Sequence, residues 1–422
     1  MDEKLLKKTA FQSIAFMLMI ITLSFALNRY RLVTIEASDK GVSAAIDSFS
    51  SSVSSADGKV VKPQYAKAKE NDPMNAGLIE KADPLNVKQQ LGERFLMIKK
   101  PEGNHNSIQM EDLFLTKSIR ITLSGVIEDN INSSMIVRVI DGEVFQGEPV
   151  FIEETDLIMD SEGSLQPVVR KNYGKDIVRG VNITSIYNEF QKSYTSEILI
   201  TFDHVYVHIL HEDAQYYYID LKKPREVHDK ILVIDAGHGG KDAGALSNED
   251  GFYEKDINLD IALHLKELLD QENIKVYYTR LSDDKVFLRP RVELANVVDC
   301  DFFISIHCNA STVSVPNGTE VLYYNREFDG IRSKDLAEIC LDELAKKIPL
   351  VKRGLIEKKD NEIFILNNAT VPAVIIEVGY MTNNNDIEYL SKSTNRRAVA
   401  QGIYNAIIKA YDTLWVNMGD RN

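Results

Sequence analysis

From residue 231 onward the chain alternates short, almost wholly apolar runs with longer stretches of helical period, and this rhythm restricts the fold more than any other feature. "KILVIDAG" (230–237), "IKVYYTR" (274–280), "DFFISIH" (301–307) and "AVIIEVGY" (373–380) are rich in β-branched and aromatic residues. Such runs are the mark of strands buried on both faces. Between them, "KDINLDIALHLKELLDQ" (255–271) sets Ile257, Ile261, Leu265 and Leu268 on one helical face. Three further segments, 289–299, 333–348 and 395–411, also read as helices. The pattern predicts an α/β domain over 225–422, a mostly parallel twisted sheet with helices on both faces. Ligands of such sheets bind beyond the carboxyl ends of the strands.

Three of the predicted strands end on a side chain capable of chemistry: His238, His307 and Glu377. A carboxylate that finishes a run of Val, Ile and Ile is costly to bury unless a cation or hydrogen-bond donors receive it. Glu254 follows His238 by sixteen positions and lies at a helix entrance. The helix dipole favours an acid there whatever its role. Two histidines and a glutamate nevertheless match a catalytic zinc centre, in which three protein ligands leave one position for water. His264, in the middle of the same helix among core-facing residues, reads as a packing residue.

The remainder of the 422-residue chain divides by composition. A formal net charge of -14 argues against a nucleic-acid partner, since polyanions are held mainly by Lys and Arg. Cys300, Cys308 and Cys340 form no CxxC pair, so neither a disulfide framework nor a cysteine zinc site is implied. Residues 1–9 are a basic, cytoplasmic start, and the uncharged residues 10–27 read as a transmembrane signal anchor. As helix, that segment would reach roughly 27 Å, close to the thickness of a bilayer's hydrocarbon core. Cleavage after Ala26 is the alternative outcome. Residues 28–108 are rich in Ser, Ala, Lys and Asp and read as a flexible tether. Residues 109–224 carry "SIRITLSGV", "SMIVRVIDG", "EILITFDHVYVHIL" and "QYYYIDL", and predict a small, mostly β domain. His204, His208 and His211 fall in the third of these. Read as one strand, it sets residues four apart roughly 13 Å from each other, which argues against a metal site.

The blocks "VIDAGHGGKDAGA", "YEKDINLDIALHLKELL", "YYTR", "LRPRVELAN", "FFISIHCNAS" and "PAVIIEVGYMTN" resemble, in order, the signatures of the zinc-dependent N-acetylmuramoyl-L-alanine amidases. The resemblance spans 230 to about 414. It implies that His238, Glu254 and His307 bind Zn2+ and that Glu377 is the catalytic carboxylate. It also implies the reaction: hydrolysis, in peptidoglycan, of the amide joining N-acetylmuramic acid to L-alanine of the stem peptide. Such an enzyme is expected at the cell membrane as a single-pass protein with its catalytic domain outside the cytoplasm. Cys308 and Thr382 depart from the usual pattern without altering a ligand. The long occluding helix that some relatives insert after the third ligand has no counterpart in "TVSVPNGTEVLYYNREFDGIR". More weakly, "YYYIDLKKPREV" resembles the end of envelope-binding β modules. Arg280, Arg291 and Arg353 are assigned no site role, because structural ion pairs account for them equally well. Two other readings use the same residues: a zinc carboxypeptidase acting within the stem peptide, and an inactive wall-binding regulatory protein.

Overall fold

The computed structural model describes residues 78–79, 91–101, 107–129, 131–159, 165–247 and 251–415. The expected anchor at 10–27 lies outside these residues, as does most of the expected tether. No helix among the described residues is long and apolar enough to cross a membrane.

Two antiparallel-rich sheets form the first folded region. One has six strands in the order Leu78–Ile79, Val207–Glu212, Tyr216–Lys222, Arg94–Lys99, Ile136–Ile140, Glu143–Gln146. The other has four, Ser107–Leu113, Ser118–Val126, Ser193–Phe202 and Val178–Asn188. Leu96, Ile98 and Ile136 of the first sheet share a core with Ile121, Leu123 and Ile198 of the second, the face-to-face packing of a β-sandwich. Its start corrects the tether expected over 28–108. Arg94–Lys99 is an interior strand, paired on both sides, because Leu96 and Ile98 alternate inward from an otherwise polar stretch. "EILITFDHVYVHIL" is not one strand either. It breaks between Phe202 and Val207 and contributes to both sheets, which leaves His204 in the break and His208 and His211 on the second strand. Buried beneath the sandwich edge, Arg138 donates to both oxygens of Asp176 and to the Gly147 carbonyl.

The second region is built of β1 (Ile231–Ala236), α1 (Glu254–Leu269), β2 (Lys275–Tyr278), α2 (Leu288–Val297), β3 (Phe302–Asn309), β4 (Thr319–Tyr324), α3 (Ser333–Lys347), β5 (Lys352–Lys358), α4 (Phe364–Asn368), β6 (Ala373–Tyr380), α5 (Asn384–Leu390) and α6 (Ser393–Thr413). The sheet order is β2-β1-β3-β6-β4-β5. Four of its neighbouring pairs are parallel, while β4 runs antiparallel to β6. The sequence reading identified neither β4 nor β5. Period-two alternation divides the side chains between two covers. Leu232 and Ile234 of β1 pack with α1, α3 and α6, and Ile231 and Val233 pack with α2 and α4. On α1, Leu269 rather than the expected Leu268 completes the buried stripe.

The sandwich docks near the amino-terminal ends of these strands. The Phe114 ring meets Tyr277 edge-on with centroids 4.8 Å apart, and Lys275, the first residue of β2, lies over Phe114 at 5.6 Å. Arg225 donates to the Asp299 carbonyl and to Asp301, just before β3. Because the sandwich is thus remote from the carboxyl ends, Arg138→Ala should destabilise it by about 3–5 kcal/mol, the cost of stranding a buried partner charge. Urea unfolding measures that loss, and metal content measured on the same folded protein should be unchanged.

Candidate metal centre

β1 delivers His238 through two residues of tightly constrained backbone. Gly237 admits no side chain, because a Cβ there would stand 2.4 Å from the His307 ring. His238 itself has φ of 61°, a left-handed conformation that a non-glycine residue adopts only when its surroundings impose it. Those surroundings are Arg291, whose Nη2 donates to the His238 carbonyl at 2.7 Å, and Asp242, whose Oδ1 lies 3.0 Å from His238 Nδ1. With Nδ1 occupied, Nε2 faces Glu254 Oε2 at 3.1 Å.

Glu254 opens α1 and is almost fully buried. Ala245 N and Cys308 N donate to its two oxygens, to Oε2 at 2.9 Å and Oε1 at 3.1 Å. His307, near the end of β3, brings Nδ1 to within 2.9 Å of Glu254 Oε1. Gly244 closes the cradle: its φ is +66°, and a Cβ there would fall 2.5 Å from Glu254 Oε2 and 2.7 Å from His238 Cδ2. One ligand atom from each of His238, Glu254 and His307 lies within 4.8 Å of the others, the one such cluster among the described residues.

Two imidazole nitrogens and a carboxylate so arranged fit zinc. Ligands of this kind bind at about 2.0–2.2 Å in a tetrahedral shell, which sets them roughly 3.4 Å apart. Without an ion the three groups share protons instead. Burial alone would raise the Glu254 carboxyl, but hydrogen bonds from His238 and His307 outweigh it and hold the group below the usual carboxylate range. Burial would likewise lower both imidazoles, yet Glu254 raises each above its ordinary value. A metal would replace those protons.

Glu377 adjoins this cluster. His307 on β3 is the register partner of Glu377 on β6, which is in turn the partner of Glu320 on β4. The three therefore share one face of the sheet. Among the described residues, the buried Glu377 Oε2 has no hydrogen-bond partner. Burial, assisted by the charges of Glu254 and Glu320 and opposed by His307 and His238, pushes its carboxyl up to about 7. Val286, Phe287, Leu288 and Ile365 line the cleft that opens onto His238 and His307.

The four predicted site residues are thus brought together. His264 is not among them and meets Ser393 Oγ at 3.1 Å. His204 contacts the Val205 carbonyl and His208 contacts Asp112. Of the three arginines, Arg280 binds the carbonyls of Ala236, Gly237, Ser282 and Lys255, and Arg291 binds Asp235 and three carbonyls. Both are structural supports of the His238 loop. Asp235, Asp242 and Glu320 were missed. The first two flank His238 in the same quoted block, where a carboxylate near a metal-binding histidine is a usable signal for an orienting partner. No helix occupies residues 310–332, where an occluding insertion would stand.

Residues 232–409 match the family described as N-acetylmuramoyl-L-alanine amidase. The chain is 33% identical over 186 residues to the uncharacterized protein YqiI of Bacillus subtilis, covering 44% of this chain and 87% of that one. It is 30% identical over 196 residues to the germination-specific N-acetylmuramoyl-L-alanine amidase of the same organism, covering 43% and 80%. Against the N-acetylmuramoyl-L-alanine amidase LytC of Bacillus subtilis the identity is 33%, over 45% of this chain but 37% of that protein. The solved catalytic domain of the amidase CwlV from Bacillus (Paenibacillus) polymyxa var. colistinus is 36% identical, covering 43% of this chain and 98% of that one, with a TM-score of 0.40.

His238→Ala, Glu254→Ala, His307→Ala and Gly244→Ala should each lower the zinc content of dialysed protein, whereas His204→Ala and His264→Ala should retain it. Elemental analysis distinguishes the two groups. The metal-free protein should also show a particular pH dependence. Its lowered Glu254 stabilises the fold above the ordinary value of 4.5, and its raised histidines do so below 6.5, losing that contribution as pH rises through their folded values. The urea midpoint of stripped protein should therefore fall between pH 6 and pH 9, and Glu254→Gln should flatten the fall.

Proposed function

The chain belongs to the N-acetylmuramoyl-L-alanine amidase family, and we propose that it is a zinc-dependent peptidoglycan hydrolase in which His238, Glu254 and His307 hold the metal and Glu377 is the catalytic carboxylate. The scissile bond is the amide between N-acetylmuramic acid and L-alanine of the stem peptide. We further propose that it acts outside the cytoplasmic membrane, where that polymer lies, with residues 10–27 as its anchor. The observation that carries the assignment of roles is the adjacency of a closed His-Glu-His cluster to a buried carboxyl whose Oε2 has no partner among the described residues.

When bound, zinc polarises the scissile carbonyl and lowers the pKa of a coordinated water. Each side chain then has one task. Asp242 fixes the ring of His238 so that Nε2 faces the cluster, and Gly237 lets the His307 ring lie against the backbone. Glu254, wholly committed to its two histidines and backbone donors, has no proton to exchange with substrate. Glu377 is the group free to do so. Its ionised form takes the proton of the attacking water, and the resulting acid gives that proton to the departing alanine nitrogen. A carboxyl raised to about 7 suits both steps near neutral pH. No covalent intermediate with the protein is required.

Glu377→Gln keeps the size of the side chain and removes its base. It should retain zinc and the fold while lowering muropeptide release by about a hundredfold to ten-thousandfold. Mass analysis of the released termini tests the bond assignment at the same time: free muramic acid ends and stem peptides beginning with alanine are expected, and truncated stems would overturn it.

A further inference from the structure

Beyond Glu377 the same row of the sheet continues to a guanidinium that the fold leaves half used. Glu320 on β4 is the register partner of Gly354 on β5, and the register shifts there, so that Arg353 is the extra residue between Lys352 and Gly354. Such bulges bend a strand and re-aim a side chain. Arg353 Nε donates to Glu320 Oε1 at 2.5 Å. The other oxygen of Glu320 accepts from Asn309 Nδ2 at 3.0 Å and from the Tyr380 hydroxyl at 3.1 Å, and the guanidinium lies 5.3 Å over the Tyr380 ring. Glu320 is 9% exposed as a side chain and Arg353 is 37% exposed. The pair is therefore anchored on its inner side and open on its outer side.

The contrast with the other two arginines near the site is informative. Every terminal nitrogen of Arg280 and Arg291 donates to the protein. Among the described residues, Arg353 has no acceptor for either Nη atom. These two nitrogens form the fork that matches a carboxylate. Because Glu320 takes the Nε position, the fork stays ordered and its orientation is fixed before any ligand arrives.

We propose that Arg353 binds the free α-carboxylate of the second residue of the stem peptide and so determines which stems are cut. This rests on the amidase reading. The guanidinium lies over β4, two strand spacings or about 10 Å from His307. In peptidoglycan the alanine is followed by a glutamate linked through its side-chain carboxyl, which leaves the α-carboxylate pendant. Two residues of extended chain reach about 7 Å beyond the scissile carbonyl, and the hydrogen bond from the carboxylate to the guanidinium adds about 3 Å, so the two together span the interval once that carbonyl sits beside the metal ligands. The glycan is then left to the opposite wall, where Phe287 and Leu288 are exposed. Amidation of that carboxylate removes the charge and turns an acceptor into a donor facing a guanidinium.

The test uses the full chain loaded with zinc and two muramoyl-tripeptides that differ only in whether the second residue carries a free or an amidated α-carboxylate. The wild-type protein is expected to prefer the free acid by about ten- to a hundredfold in kcat/KM, the range of a charge-assisted hydrogen bond, with the difference carried by KM. Arg353→Gln should abolish the preference by slowing only the free-acid substrate, and Arg353→Lys should restore part of it. Turnover of the amidated substrate reports that each variant is folded and charged with metal. Equal losses on both substrates would mean that Arg353 serves only to position Glu320 and Glu377, and would overturn the proposal. So would a preference that survives in Arg353→Gln or that disappears instead in Lys285→Ala, which removes an ammonium lining the cleft beside His238 and His307. A wild-type protein inert on both substrates would overturn the amidase reading itself, and this assignment with it.

Discussion

Asp235 is the fixed point of the catalytic region. It is fully buried in β1, and its carboxylate accepts from Arg291 of α2, Thr279 after β2 and Ser305 of β3. Burial alone would raise its pKa, and the cation and two hydroxyls more than reverse that. A buried charge met in this way ties three strands and a helix together directly below the site. The same Arg291 continues upward to the carbonyls of Ala236 and His238. The unfavourable left-handed backbone of His238 is thus enforced by an ion pair that cannot be released without leaving a charge stranded in the core. Precision at His238, the proposed metal ligand, and rigidity of the sheet have one source.

The site is organised by charge as well as by shape. Glu254 and Glu377 both stand close to the two histidines, yet their carboxyls are driven in opposite directions. Glu254 receives donors on both oxygens and stays ionised, whereas Glu377, whose Oε2 receives none among the described residues, is raised. Two carboxyls with separated tendencies suit the proposed roles, a permanent ligand and an exchangeable proton from a single residue type. The next carboxylate in the row, Glu320, adds to the field that raises Glu377, while its bond to Arg353 limits how far that field extends.

Much of this was legible in the sequence for a simple reason. Strands buried on both faces must be apolar, so β1, β3 and β6 stand out, and a polar residue at the end of such a strand is conspicuous. His238, His307 and Glu377 stand out in this way, although β3 and β6 run on to Asn309 and Tyr380, so that only His238 lies beyond its strand. β4 and β5 did not. "TEVLYY" begins with two polar residues, and "KRGLIEK" is charged at both ends and lies at the sheet edge; one hides its register and the other its burial. The antiparallel setting of β4 cannot be read from side-chain pattern at all. Arg94–Lys99 was obscured for a related reason: charged ends flank its apolar centre within a long polar stretch. Asp235 and Asp242 carry the opposite difficulty, since a carboxylate beside glycines looks like an ordinary turn until the partner that fixes it is known.

The attachment of the sandwich has a consequence for how such a molecule can diversify. Phe114, Lys275, Arg225 and Asp301 gather near the amino-terminal ends of the strands, and the proposed metal ligands cluster toward the opposite ends, His238 just past β1 and His307 near the end of β3. The six residues of β1 span roughly 20 Å between the two at about 3.3 Å each. At that separation none of the sandwich's described residues lines the cleft or bonds to His238, Glu254 or His307. It behaves as a fitting at the rear of a tool, exchangeable without recutting the blade.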